Sequence, residues 1–259
     1  MFRILKARWQ QKHQTMQYPA GPLPEMPDRF VGRPIFSGEC PKGCYSCRES
    51  CPVDAIRCGD GHPTLDMGRC IFCRACAEAC PCGALSFSRN PQLAAARRED
   101  LNLSANSEAR ITALSERARK FFGRSLKLRQ VSAGGCNACE ADVNVLGTPA
   151  WDMGRFGIQF VASPRHADGL LITGPVTANM RLALEKTYSA VPEPRIVIAC
   201  GACAVSGGIY AGHPETADGA GLVLPVDLYI PGCPPHPLTT LDALLRFIGR
   251  PVPWYPDSF

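Results

Sequence analysis

Long hydrophobic runs are missing from this sequence. No apolar stretch approaches the ~18–20 residues of a bilayer-crossing helix, so no membrane span is expected. The N-terminus also lacks the apolar stretch and small-residue cleavage site of a secretory signal. A reducing cytoplasm is the compartment expected, and there thiols bind metal rather than pair as disulfides. Acidic residues are absent from positions 1–24, which carry Arg3, Lys6, Arg8 and Lys12. Serine is absent before Ser37, unlike the Ser-rich composition of a mitochondrial transit peptide. Charged residues make up 20% of the chain and hydrophobic ones 46%, which excludes wholesale disorder.

Cysteine is what the sequence has in excess: 15 in 259 residues, an odd number that excludes complete pairing. The basic charge sits outside the expected domain bodies. Residues 1–29 read as an arm, with Phe2, Leu5 and Trp9 on one helical face. It is either a frayed terminus or an amphipathic contact with a membrane surface or partner. Residues 97–129 hold nine Lys/Arg against four Asp/Glu. Within them Ile111, Leu114, Ala118 and Phe121 have helical spacing and Gly123 follows, so an exposed basic connecting helix is expected over 104–123. No aromatic platform is interleaved with this charge, so nucleic acid is not an expected partner.

Residues 38–89 contain an internal repeat. Cys44, Cys47 and Cys51-Pro52 recur as Cys73, Cys76 and Cys80-Pro81, each 29 residues later. Half-domains this small cannot bury a core alone, so something else must hold them together. The second run, Cys70-Ile-Phe-Cys73-Arg-Ala-Cys76-Ala-Glu-Ala-Cys80-Pro81, has the C-x₂-C-x₂-C-x₃-C-P spacing of bacterial ferredoxins. Three close thiolates wrap one cubane, and the fourth serves the other cluster. Zinc is the alternative, but it favours two C-x₂-C pairs around a tetrahedron. The first run, Cys40-Pro-Lys-Gly-Cys44-Tyr-Ser-Cys47-Arg-Glu-Ser-Cys51-Pro52, has one extra residue after Cys40. Crossed ligation gives one cluster Cys40, Cys44, Cys47 and Cys80, and the other Cys70, Cys73, Cys76 and Cys51. Residues 31–90 thereby resemble the two-[4Fe–4S] ferredoxins.

From about residue 125 short apolar runs (Ile158–Ala162, Gly169–Thr173, Arg195–Cys200, Val226–Ile230) alternate with helical stretches such as Met180–Ser189 and Leu238–Ile248. This is the βαβ pattern of a parallel sheet. Cys136, Cys139, Cys203 and Cys233 fall in loops beside such elements, where α/β folds place chemistry. C-x-x-C alone also suits a redox dithiol or half a zinc site.

The strings SAGGCNACE, SPRHADGLLITGPVT, IACGACAVSGGIY and PVDLYIPGCPPHP resemble the small subunit of group 4, membrane-bound [NiFe] hydrogenases of the formate hydrogenlyase type. They are similar, more distantly, to the 20 kDa subunit of respiratory complex I. Complex I subunits typically place two adjacent cysteines at the first site, whereas this chain has Cys136-x-x-Cys139, as hydrogenases do.

The resemblance implies a flavodoxin-like α/β domain whose proximal [4Fe–4S] cluster is held by Cys136, Cys139, Cys203 and Cys233. It implies a place for Glu140 near the large-subunit interface, with a role in proton movement or electrostatic tuning; the alternative is a surface acid or local salt bridge. The N-terminal half resembles the two-cluster ferredoxin-like subunit of the same complexes, normally a separate chain. The expected organisation is a basic arm (1–29), a small α+β 2[4Fe–4S] ferredoxin-like domain (30–90), a helical linker (91–124) and a flavodoxin-like α/β domain (125–259).

The function expected from the resemblance is electron transfer through three [4Fe–4S] clusters to or from a Ni–Fe large subunit, without bond-making at H₂ in this chain. Expected partners are that large subunit, membrane-arm subunits, and a formate or CO dehydrogenase or ferredoxin donor. The expected location is the inner face of the cytoplasmic membrane, held peripherally by the complex. Two other readings stay open: the iron–sulfur subunit of a complex I-like or nickel-free complex, and a zinc-stabilised binding module. His166 is expected to be structural, Trp151 and Trp254 to pack at interfaces, and Cys58, Cys82 and Cys200 to be buried free thiols. Cys82 and Cys200 each lie near a ligand, so alternative ligation is the second reading for these two.

Overall fold

The structure, a computed structural model, describes residues 2–12, 14–37, 40–41, 43–59, 63–104, 122 and 125–256. The connecting helix expected over 104–123 lies, but for its two described residues, outside these.

The C-terminal half is built on a five-stranded parallel sheet. Its strands are β6 (Leu126–Ser132), β7 (Ile158–Phe160), β8 (Gly169–Thr173), β9 (Ile196–Cys200) and β10 (Leu228–Ile230). Their spatial order is β10-β9-β8-β6-β7. Counted within the domain this is the 2-1-3-4-5 order of flavodoxin-like folds, with its switch point between β6 and β8. Strands β8 and β9 are buried at every position, which is why they read as unbroken apolar runs.

Strand β6 did not stand out as such a run. Its sequence LKLRQVS alternates, with Leu126 and Leu128 buried and Lys127 exposed, so the central strand is disguised by Lys127, Arg129 and Gln130.

The side-chain period of two splits the core between the sheet's faces. Leu171, Ile198 and Ile230 pack with Leu241, Leu244 and Leu245 of the helix Pro237–Phe247. Leu170, Ile172 and Val197 join a cluster that includes Val53, Ile56, Leu65 and Leu85 of the cysteine-rich half. The two halves therefore share one apolar core, which supplies the packing that a small cysteine-rich domain cannot supply by itself.

The cysteine-rich half forms two small antiparallel sheets. β1 (Pro34–Phe36) pairs with β4 (Leu85–Phe87), and β2 (Ile56–Cys58) pairs with β3 (Pro63–Asp66), which pairs with β5 (Asn102–Leu103). One-turn helices Ser46–Glu49 and Ala75–Glu78 carry Cys47 and Cys76, at equivalent points of the repeat.

Two expected boundaries shift. The arm is a helix only at Phe2–Gln11, with no buried residue. Beyond it the chain is anchored: Thr15 Oγ1 donates to the Pro149 carbonyl (2.8 Å) and Tyr18 is buried. Nor is the whole of 91–124 a linker. Leu93, Ala94 and Ala95 are buried, and Ala95 exchanges backbone hydrogen bonds of 3.0 and 2.9 Å with Tyr229 of β10. Behind these segments lies a polar knot. Asp242 accepts from Tyr18 Oη (2.5 Å), Gln92 Nε2 (3.1 Å) and Arg246 Nε (3.0 Å), tying three distant stretches of chain together.

Candidate iron–sulfur sites

Three strand ends supply the sulfurs of the C-terminal site. Cys136 and Cys139 follow β6, Cys203 follows β9 and Cys233 follows β10, all at the carboxyl edge of the sheet. Asn137, between the first two, has φ +72° and lets the chain turn into the helix Ala138–Val145.

The sulfurs influence one another. Cys139 is pushed up by burial, then by Cys200 and Cys203. Burial, with Cys233 and Cys136, raises Cys203 to about 11, and burial with Cys136 raises Cys233. A bound metal cluster would take these groups as thiolates and release their protons.

The backbone leaves room for such a group. A Cβ at Gly201, where φ is +92°, would come 2.5 Å from Cys139 Sγ. One at Gly208, where φ is +56°, would come 3.0 Å from Cys203 Sγ. Side chains are excluded where the thiols converge, so the donor set and the cradle fit a sulfur-ligated cluster.

Glu140 lies at the switch point. Ser132, the last residue of β6, and Thr173, the last of β8, are register partners. Both hydroxyls donate to Glu140 Oε1, at 2.6 and 2.7 Å. Burial opposes ionisation, but the two hydroxyls outweigh it and hold the carboxyl below its ordinary value. Glu140 is only 7% exposed. It is not the surface acid of the alternative reading, and among the described residues it makes no ion pair. Its partners were not legible in the sequence, because Ser132 ends the strand that charged residues disguised.

Two groups of thiols are set apart in the cysteine-rich half. Cys51, Cys70, Cys73 and Cys76 line one small cavity together with Val53, Ile56, Leu65 and Phe87. Cys70 is pushed up to about 12 by burial and by Cys76, Cys51 and Cys73, and Cys76 to about 11 by burial, Cys51 and Cys73. Phe72 N–H donates to Cys70 Sγ and Ala55 N–H to Cys51 Sγ, both at 3.2 Å. Around the other quartet, Cys40 is raised by burial and has Cys82, Cys80 and Cys44 as neighbours. Burial acts to raise Cys80, but the Leu85, Cys82 and Ala84 backbone N–H groups and the Cys82 side chain hold it below its ordinary value. Despite the extra residue after Cys40, that thiol stays beside Cys80 and Cys44.

A cleft joins the halves. Ile71 and Phe72, from the second cysteine run, line it with Cys233, Asp142 and His236. Trp151 meets His236 edge-on at 5.8 Å, and Phe30 meets the same ring at 5.4 Å. Trp254 lies over the Arg246 guanidinium at 4.1 Å and is half exposed. His166 is exposed in the short helical turn Pro164–His166. Of the three remaining cysteines, Cys200 is buried as expected and Cys58 is half-buried. Cys82 is exposed, a correction that follows from its place just after the Cys80-Pro81 turn.

A flavodoxin-like domain with thiols gathered at its sheet end, beside a ferredoxin-type cysteine segment, defines an iron–sulfur electron-transfer protein. Residues 136–247 match the family described as NADH ubiquinone oxidoreductase, 20 Kd subunit, and residues 63–86 match the 4Fe-4S binding domain. A probable membrane-bound hydrogenase subunit of Pyrococcus furiosus is 40% identical over 141 residues, covering 52% of this chain and 84% of that protein. Formate hydrogenlyase subunit 7 of Escherichia coli is 44% identical over 130 residues, 50% of this chain and 51% of that one. A subunit of the NADH-quinone oxidoreductase of Desulfovibrio desulfuricans is 41% identical over 125 residues, 48% of this chain and 67% of that one.

The chain belongs to the family of the complex I 20 kDa subunit and hydrogenase small subunits, and is an iron–sulfur component of that class of oxidoreductase. This sets the zinc-stabilised binding module aside.

Proposed function

We propose that the chain is the electron-transfer subunit of a membrane-bound [NiFe] hydrogenase complex of the formate hydrogenlyase type, carrying three [4Fe–4S] clusters. The observation that carries it is the placing of Cys136, Cys139, Cys203 and Cys233 at one sheet edge, with Ile71 and Phe72 of the second cysteine run lining the same cleft as Cys233. Cys136, Cys139, Cys203 and Cys233 would hold the proximal cluster. Cys70, Cys73, Cys76 and Cys51 would hold the middle one, and Cys40, Cys44, Cys47 and Cys80 the outer one. The clusters, when bound, supply one-electron carriers whose potentials follow net charge, hydrogen bonds to sulfur and exposure.

The chain's own groups set those terms. The Phe72 and Ala55 N–H groups donate to ligand sulfurs and favour the reduced, more negative state. Val53, Leu65 and Phe87 keep water from the middle site. Glu140 keeps a buried negative charge beside Cys139, anchored by Ser132 and Thr173. That charge opposes reduction of the proximal cluster and lowers its potential.

Partners follow from this placement: a Ni–Fe large subunit over the proximal site, membrane-arm subunits, and a formate or CO dehydrogenase module or ferredoxin as donor. Among the described residues no helix is long and apolar enough to cross a membrane. Attachment is assigned to the complex, with the basic helix Phe2–Gln11 turned toward the inner face of the cytoplasmic membrane.

The second reading is a complex I-like, nickel-free assembly, favoured by the likeness to the NADH-quinone oxidoreductase relative. Purification of the native complex separates the two. Nickel together with two C-x-x-C motifs in the large subunit supports the hydrogenase. A large subunit without those motifs and a complex without nickel overturn it.

A further inference from the structure

Two cysteines that the ligand sets leave over stand beside the outer quartet. Cys82 Sγ lies 3.7 Å from Cys80 Sγ, and Cys58 Sγ lies 3.9 Å from Cys47 Sγ. The internal repeat shows what is particular about their positions. The 29-residue offset carries Val53 onto Cys82 and Cys58 onto Phe87. Val53 and Phe87 are wall residues of the cavity framed by Cys51, Cys70, Cys73 and Cys76. At the equivalent places around the outer quartet, the apolar wall has been replaced by thiols.

The separations are those of two sulfurs able to share one metal. A tetrahedral metal with bonds of about 2.3 Å holds two sulfurs about 3.8 Å apart. Within each pair, one sulfur can therefore take over from the other with little movement of the iron. The two quartets do not differ simply in exposure: Cys40, Cys44 and Cys80 are half-buried and Cys47 is buried in one, while Cys51 is half-buried, Cys73 exposed and Cys70 and Cys76 buried in the other. What sets the outer one apart is the neighbouring thiol beside Cys80 and beside Cys47.

We propose that Cys58 and Cys82 are reserve ligands of the outer cluster, making this a six-thiol iron–sulfur site. The proposal rests on the reading that Cys40, Cys44, Cys47 and Cys80 hold a [4Fe–4S] cluster. In the exchange one bond from iron to Cys80 Sγ breaks and one to Cys82 Sγ forms on the same iron. The Cys82 proton passes to water, the released Cys80 thiolate takes one up, and no electron moves. Cys58 replaces Cys47 in the same way.

The test is iron and acid-labile sulfide per chain, with electron paramagnetic resonance, on the anaerobically prepared full-length protein. Wild type, C80A, C47A, C58A and C82A should each hold about twelve irons, whereas C80A/C82A, C47A/C58A and the middle-site control C51A should hold about eight. C80A and C47A falling to eight by themselves would overturn the reserve role while leaving the three-cluster reading intact. A wild type well below twelve irons would overturn that reading and this proposal with it. The proximal cluster signal reports folding. If C80A does not fold, iron loss to a chelator compares wild type with C58A/C82A. Faster loss from the double variant, by about threefold or more, supports the reserve role, and equal rates overturn it.

Discussion

Cys139 Sγ occupies the space that a side chain on Gly201 would need: a Cβ there would approach it to 2.5 Å. The two residues come from different loops, after β6 and β9, so this contact fixes how closely the proximal ligands gather. Gly201 also has φ +92°, a conformation that strains an L side chain. Gly201→Ala is expected to remove the proximal cluster, about four irons per chain, and leave the two ferredoxin-type clusters. Gly59→Ala, where a Cβ meets nothing within 4 Å, should retain all three. Iron and sulfide analysis checks both.

Cys233 lies on the cleft shared with Ile71 and Phe72. Cys233→Ala should abolish one cluster signal in electron paramagnetic resonance and keep the other two. Loss of all three signals, or of none, would refute the division into three quartets.

The Glu140 carboxylate joins the ends of β6 and β8 through two hydroxyls. A hydrogen bond to a charged group contributes about 1.5–3 kcal/mol, and the remaining buried charge is left less satisfied when one is removed. Thr173→Val is expected to cost about that much, and so is Ser132→Ala. Because both act on one carboxylate oxygen, the double variant should depart from additivity. Urea unfolding at neutral pH measures all three.

Much of this arrangement was legible from the cysteine spacing, because ligand geometry constrains sequence more tightly than packing does. The runs from Cys44 to Cys51 and from Cys73 to Cys80 marked the repeated cysteine segments, and the buried strands β8 and β9 showed as apolar runs. Three features were not legible. β6 is half-buried, so its Lys127 and Arg129 concealed the central strand. The anchoring of Tyr18 depends on Asp242, 224 positions away, and no local pattern encodes such a pairing. Cys58 and Cys82 fall inside the 29-residue repeat opposite Phe87 and Val53, so the repeated cysteine spacing marked neither as a ligand, and their sulfur distances are what bring them to the outer quartet.

The Tyr18–Asp242 pair gives its own test. Tyr18→Phe removes one donor from the buried carboxylate and should destabilise the chain by about 1–3 kcal/mol. Asp242→Ala leaves the buried Arg246 guanidinium without its partner and should cost more, about 3–5 kcal/mol. A smaller loss for Asp242→Ala than for Tyr18→Phe, in urea unfolding, would contradict the knot.

His236 caps the helix Pro237–Phe247, its Nδ1 accepting from Leu238 N–H at 3.1 Å, and burial holds its pKa below the ordinary value. The unfolded chain then binds a proton that the folded chain resists. Stability is fully present above the unfolded value of about 6.5 and falls as pH drops below it toward the depressed folded value. His236→Asn keeps a capping oxygen and removes the titration, so its urea midpoint should fall less than that of wild type between pH 7.5 and 5.5. Parallel declines would show that His236 is not the group responsible.

The most direct test of a three-cluster wire is the iron and acid-labile sulfide content of the anaerobically purified full-length chain. About twelve of each per chain is the result expected from three cubanes. About eight irons would leave one quartet without its cluster, and zinc without sulfide would contradict the wire altogether.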